Sequence, residues 1–212
     1  MKCLVINTLA ESDAQSEAAI RSLSEIATEL VVIQTEKMKI TSCIGCTNCW
    51  LKTPGVCAIK DDHESLFKIF LKSNSVIFIA ESKLGFVSHK MKNIVDRFIP
   101  LGTPLTEICN GEARHMSRYH KRWNIGLIYK GNGDKEFLTE WMERFALNFH
   151  SKSLGAYNIE ESEALLHELK EMAARCGVPS ARFHDLRHPR VKLELTIKAK
   201  KTLFPVITIV LG

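Results

Sequence analysis

The chain has 212 residues, 45% of them hydrophobic and 25% charged, enough for one large core rather than two small ones. Seven cysteines at this length are too few for a disulfide scaffold, and their odd number points to thiols, metal ligands or redox chemistry in a reducing compartment. The formal charge of +5 is local: residues 178–201 hold seven Lys or Arg against two acids, which leaves 22 of each elsewhere from totals of 29 and 24, so no broad basic surface for nucleic acid is expected.

The chain opens on "MKCLVINTL", whose apolar run is too short for a signal-peptide core. Its run "KCLVIN" predicts a first strand. Ser12 with Gln15 then forms a capping box ahead of Ile20, Leu23 and Ile26, the start of a first helix. "ELVVIQ" predicts a second strand, and Asp61 with Glu64 a second capped helix carrying Leu66 and Phe70. The apolar "SVIFIA" is a third strand, followed by Met91, Ile94, Val95 and Phe98 at helical spacing behind Ser88. "WNIGLIY" and "LGAYNI" complete five strands, each followed by a helical stripe. These are Phe137, Trp141, Phe145 and Phe149 behind Asp134, then Leu165, Leu169, Met172 and Cys176, ending at Gly177 with Pro179 beyond.

After "CGVPSARF", the runs "RVKLELTI" and "LFPVITIV" suggest two extra strands or an arm. Neither late run is long enough to cross a bilayer, and a cytoplasmic location is expected. The domain organisation read from this is 1–177 as one α/β domain and 178–212 as a basic extension. That extension reads as a solvated surface segment, with docking to an acidic partner, a dinucleotide phosphate or nucleic acid as the other readings.

Apolar strands alternating with helices imply a parallel sheet covered on both faces. Ligands of such sheets bind beyond the carboxyl ends of the strands. The loops of interest are therefore "NTLAESDAQS", "AESKLGFVS" and "YKGNGD".

The cysteine segment "TSCIGCTNCWLKTPGVCAIKDD" follows the second strand and spaces its thiols as Cys43-x2-Cys46-x2-Cys49-x7-Cys57. Pro54-Gly55 suits a type II turn that returns Cys57 toward the triplet. Four thiolates at such spacing suit a [4Fe-4S] cluster, although the ferredoxin run has a shorter last gap. Zinc, a redox thiol pair and plain packing are the other readings. Cys3 and Cys176 read as buried packing residues, and Cys109 is left open.

"CIGCTNCWLKTPGVCAIKDD", the apolar strand after it and "GFVSHKMKNIVDRFIPL" resemble the flavodoxin-like NAD(P)H-dependent FMN reductases and their iron-sulfur flavoprotein relatives. "GEARHMSRY" is similar to one branch of that family. The resemblance covers about residues 1 to 175. It implies a three-layer sandwich with strand order 2-1-3-4-5, FMN at the strand ends and electron transfer from NAD(P)H. A homodimer or higher assembly and a small-molecule or protein electron acceptor are further implications, as is a cluster on Cys43, Cys46, Cys49 and Cys57 in the iron-sulfur members.

The sequence departs from the family where flavin should bind. The usual Gly- and Arg-containing phosphate loop is replaced by "NTLAESDAQS", which brings Glu11 and Asp13 toward the phosphate position; like charges repel there. Ser12 and Ser16 remain as phosphate donors. Ser82, Lys83, Gly85 and Phe86 are the candidates after the third strand, and Gly131, Asn132 and Gly133 after the fourth. Arg114, His115, Arg118, Tyr119, His120, Lys121 and Arg122 either cover a cofactor phosphate or form a solvated connector. No side chain stands out as acid, base or nucleophile, as suits an enzyme whose reactive atoms belong to a cofactor. Two function classes follow: an FMN-dependent oxidoreductase, or a non-catalytic relative with a degenerate flavin site serving as a partner subunit.

Overall fold

The computed structural model describes residues 2–109 and 111–176, with backbone alone for 172–176. Five strands form the parallel sheet in the order β2-β1-β3-β7-β8: β1 Lys2–Asn7, β2 Glu29–Gln34, β3 Ser75–Lys83, β7 Asn124–Lys130 and β8 Lys152–Asn158. Four of the five expected strand runs lie within a residue or two of these spans, and the third strand runs three residues past its apolar run. Numbered by themselves, the five follow 2-1-3-4-5, with the reversal between β1 and β3 that opens a crevice at the strand ends.

Alternation decides which helix covers which face. Leu4, Ile6, Val76, Phe78 and Ala80 face one core with α3 (His63–Lys72), α4 (His89–Val95) and α5 (Lys135–Leu147). Cys3, Val5, Ile77, Ile79 and Ile128 face the other with α1 (Ala14–Ile26) and α6 (Glu163–Cys176). Three layers result. Cys3 is fully buried in the second core, as a packing thiol would be. Cys109 is half-buried at the end of a hairpin strand. The Cys176 side chain and the readings placed on 178–212 lie outside the described residues.

The helix starts differ in detail from their sequence signals. α1 is capped by Asp13, which accepts from the Ser16 amide at 2.9 Å, while Ser12 lies exposed one residue outside. Asp61 accepts from the His63 amide at 3.1 Å, but its other oxygen is drawn into a buried ion pair described below. α5 starts as expected on Asp134, which accepts from the Phe137 amide at 3.0 Å. Its buried residues are Leu138, Met142, Phe145 and Ala146, whereas Phe137 is half exposed; the stripe runs one position off at its first turn.

Sequence reading missed three elements. A short helix α2 (Asn48–Leu51) sits inside the cysteine segment, and a two-residue strand β4 (Phe86–Val87) folds back antiparallel on β3. An antiparallel hairpin of β5 (Gly102–Cys109) and β6 (Glu112–Ser117) is inserted between α4 and β7. Its strands are mostly exposed, so period-2 patterning had little core to report.

Candidate functional site

Two sites emerge, on different parts of the fold. The first is a cleft of about 450 Å³ at the carboxyl ends of the strands, a volume within the range of roughly 300–1,000 Å³ typical for small ligands. Its wall comes from Thr8, Leu9, Ala10 and Asp13 after β1, from Ser82 and Lys83 at the end of β3, from Ser88, His89 and Lys90 at α4, and from Lys130 and Gly131 after β7.

Of the candidate residues, Ser82, Lys83 and Gly131 line this cleft. Ser16 is fully buried and spent inside the protein, donating to the Asp13 carbonyl at 2.9 Å and accepting from Asn7 at 3.3 Å. Gly85 and Gly133 form a backbone bridge that ties the β3–β4 turn to the loop before α5. A Cβ at Gly133 would lie 2.6 Å from the Tyr129 ring, so only glycine fits this close approach. The Asn132 carbonyl accepts from Ser82 Oγ at 3.3 Å. Phe86 turns away toward α5, 4.9 Å from Trp141 between ring centroids.

The cleft's electrostatics answer the concern about its acids. Lys130 pairs with Asp13 across the cleft, Lys83 with Glu81 at 3.3 Å, and Lys37 with Glu11 at 3.0 Å. Burial pushes the Asp13 carboxyl up, but the Lys130 bond and the Ser16 and Gln15 amides outweigh it and hold it below the usual carboxylate range. Among the described residues, His89 and Lys90 have no ion-pair partner.

The loop amides are another matter. Thr8 donates to the Ile79 carbonyl, Leu9 to Asn7 Oδ1, Glu11 to the Glu36 carboxylate at 2.8 Å, and Asp13 to the Ala10 carbonyl. Two internal carboxylates, Glu36 and Asp13, thus take amides that an anion at a helix start would use.

The second site is the cysteine loop. Cys43, Cys46, Cys49 and Cys57 all line one small cavity of about 70 Å³, closed by Ile44, Ile59 and Ile99. Cys49 is nearly buried, Cys43 and Cys57 half-buried, and Cys46 exposed. Desolvation, then the charges of Cys57, Cys43 and Cys46, push the Cys49 thiol above its ordinary pKa. A cationic centre bound by these thiols would offset that repulsion. Among the described residues, no group of three or more His, Cys, Asp or Glu is arranged so that it could hold a single metal ion.

Positive-φ residues shape this loop. Gly45, Thr47 and Gly55 lie at φ 66°, 55° and 84°, and Gly55 supplies the turn expected after Pro54. Trp50 anchors the loop to the body, its indole N–H donating to the Ile99 carbonyl at 3.1 Å.

The decisive anchor is Arg97, a residue that sequence reading left inside a family motif without a role. It is 1% exposed. Nη1 donates to Asp61 and to the Thr41 carbonyl at 3.2 Å, and Nη2 to the Ile59 carbonyl at 3.2 Å and to Cys57 Sγ at 3.5 Å.

The basic cluster before the fourth large strand is largely bonded within the protein. Arg118 donates to the Pro100 and Gly102 carbonyls, Lys121 to the Leu71 carbonyl, and Arg114 pairs with Glu112. His115 packs on Trp50 at 4.7 Å between ring centroids. These side chains fasten the hairpin to the body and to the cysteine loop. A second cleft of about 690 Å³, lined by Trp50, His115, Trp141, Phe145 and Cys43, opens beside that loop.

No family model matches the chain. Over 129 residues, 60% of this chain and 52% of the relative, it is 30% identical to an iron-sulfur flavoprotein of Archaeoglobus fulgidus. Over 83 residues, 39% of this chain and 42% of the relative, it is 30% identical to an iron-sulfur flavoprotein of Methanocaldococcus jannaschii. The chain thus spans about half the length of these curated relatives. Among solved structures, the NAD(P)H:quinone oxidoreductase of Methanothermobacter marburgensis superposes with a TM-score of 0.53 at 12% identity, over 82% of this chain and 98% of that one. This last likeness establishes the fold. Among the described residues, no helix is long and apolar enough to cross a membrane.

Proposed function

The chain is a flavodoxin-like protein similar in sequence to iron-sulfur flavoproteins, and on that premise we propose that it is an FMN-dependent oxidoreductase with an iron-sulfur cluster on its cysteine loop. Reduced nicotinamide or another donor supplies the electrons, and a small molecule or protein accepts them. The observation that carries this reading is the convergence of all four loop cysteines on one cavity. A packing role would need no such convergence, and a single redox pair would need only two of them.

The strand-end cleft is the flavin site. A flavin held there would supply hydride and electron-transfer chemistry, and a cluster on the loop would supply one-electron chemistry. The chain's residues bind and orient. Lys90 meets the phosphate with its charge and His89 with a ring N–H, and Lys130 removes the repulsion of Asp13. Gly131, at φ 101°, presents backbone where a side chain would obstruct a flat ring. In the cysteine loop, Cys43, Cys46, Cys49 and Cys57 are the four thiolate ligands. The cleft between Trp50, His115 and Trp141 is where an acceptor approaches the loop. A homodimer and a cytoplasmic location belong to the same proposal.

A second reading has one observation in its favour. The amides of the first loop are engaged by Glu36 and Asp13, which suits a partner subunit whose phosphate site has closed on itself. One preparation separates the two. Protein purified anaerobically is analysed for flavin, iron and acid-labile sulfide, then titrated with FMN. Bound or titratable FMN with iron and sulfide is the result expected. Iron and sulfide without any affinity for FMN selects the partner-subunit reading, and a colourless protein that takes up neither overturns both redox roles.

A further inference from the structure

We propose that Arg97 is the positioning residue of the cysteine site, closing the loop on its fourth ligand and, through its bond to Cys57 Sγ, raising the reduction potential of the cluster held there. The inference deepens the iron-sulfur reading above and rests on it.

The geometry begins with the cost of the residue. A guanidinium with no exposed surface must be paired and hydrogen-bonded, and Arg97 is paired with Asp61, whose carboxylate is 9% exposed. Its remaining bonds are not spread over the core. They go to Thr41, Cys57 and Ile59, which with Asp61 bracket the loop from residue 41 to residue 61. One rigid fork from α4's end thus holds both ends of a segment of about twenty residues. Lysine, a single point donor, cannot span four acceptors in this way.

A brace alone has no need of the sulfur. The loop ends are already fixed by Thr41 and Asp62, whose contacts include Thr41 N to Asp61 at 2.9 Å and Lys39 N to Asp62 at 2.7 Å. Arg97 Nε is meanwhile buried without a partner, so the fork is not placed to satisfy every donor it carries. The guanidinium is therefore aimed by something other than full satisfaction of its own donors, and the group it reaches is Cys57.

Chemistry gives the consequence. Adding one electron to a cluster adds one negative charge shared with its thiolates, and a cationic donor on a ligand sulfur stabilises that reduced state. Asp61 acts on the same couple with the opposite sign, because its carboxylate offsets part of the Arg97 charge.

The test uses the full chain reconstituted anaerobically with ferrous iron and sulfide, as wild type, Arg97→Gln and Asp61→Asn. Midpoint potentials are read by dye-mediated titration followed by EPR, iron retention by chelator challenge, and folding by circular dichroism. Arg97→Gln is expected to lower the midpoint and to retain iron roughly 10- to 100-fold less tightly, while Asp61→Asn raises the midpoint. Opposite shifts are the signature, since loss of a brace would move both variants alike. Two variants at the wild-type potential, or shifted in the same direction, overturn the proposal. Should either variant not fold, wild type grown with ¹⁵N-labelled arginine decides: pulsed EPR of the reduced cluster shows a nitrogen coupling if Arg97 donates to it, and none if it does not. Wild type that takes up no cluster overturns the iron-sulfur reading itself, a failure visible before any variant is compared.

Discussion

The strand-end cleft and the cysteine loop solve opposite problems. The cleft is positioned by topology: β1, β3 and β7 run parallel, so the loops after them meet at one edge whatever their residues. Its side chains are free to drift, and Glu11, Asp13, Glu81 and their lysine partners are mostly exposed pairs that contribute little each. The cysteine loop has no such guarantee. It is a long excursion between β2 and α3, and its shape depends on one buried ion pair, one indole bond and three positive-φ residues. A site given by the fold tolerates change in its residues, whereas a site built on a loop concentrates its dependence on a few.

The sharpest way to break that comparison is at the loop cysteines. Cys46→Ser changes an exposed residue and is expected to abolish cluster loading while leaving the fold and the affinity of the cleft for FMN unchanged. Iron and sulfide analysis beside an FMN titration measures both. Normal loading would remove Cys46 from the ligand set.

The next effect is on stability. Asp61→Ala leaves Arg97 buried without its counter-charge, and is expected to cost about 3–5 kcal/mol in urea unfolding. An equivalent truncation in the cleft, Glu81→Ala, is expected to cost no more than about 1 kcal/mol, since its lysine partner is solvated. Equal costs would mean that the two sites do not differ in the way their contacts indicate.

The sequence made the cleft's scaffold legible and the loop's anchors illegible, for a physical reason. Strands and helices announce themselves by local period, so five strands and the three loops at their ends followed from residues close in the chain, whereas the strand order came with the family resemblance. Arg97 bonds residues 36 to 56 positions away, and no local pattern records that. The same holds for Lys130, which stands beside the glycines singled out after the fourth of those strands but reaches Asp13 across 117 positions. The hairpin escaped because both its faces are largely wet. The four cysteines were legible through spacing alone, and the structure adds that all four line one cavity.

His63 lets pH test the packing beneath the loop. It is 2% exposed, its Nε2 lies 3.1 Å from the Ile94 carbonyl, and Phe67 and Phe98 flank its ring. Burial, then the Arg97 charge, pulls its pKa from 6.5 down to about 4. The folded state keeps the ring neutral while the unfolded chain takes up a proton as pH falls below 6.5, so stability is lost on going from pH 6.5 toward 4, by up to about 1.4 kcal/mol per pH unit. Asp61, whose pKa lies below its ordinary 3.8, loses its contribution only under more acid conditions. Urea unfolding at pH 7, 6 and 5 should show the slope in wild type and a flatter one in His63→Phe. An unchanged slope would assign it to other groups.

The smallest effect separates two neighbouring residues at the mouth of the cleft. Ser12 and Gln15 carry the sequence signature of a capping box, yet α1 begins one residue later, on Asp13. Asp13 has β-region dihedrals, accepts from the Ser16 amide and also faces Lys130, so it does what the signature assigned to Ser12. Replacing Asp13 by Ala is expected to cost about 1 kcal/mol, and replacing Ser12 by Ala to stay within about 0.5 kcal/mol, as for a surface residue without a structural bond. Thermal or urea unfolding of the two variants measures the difference. If Ser12→Ala proved the more damaging, the first loop would have to adopt the frame shifted back by one residue. The amides now held by Asp13 and Glu36 would then be released, and the cleft would regain the backbone donors for an anion that it otherwise keeps engaged.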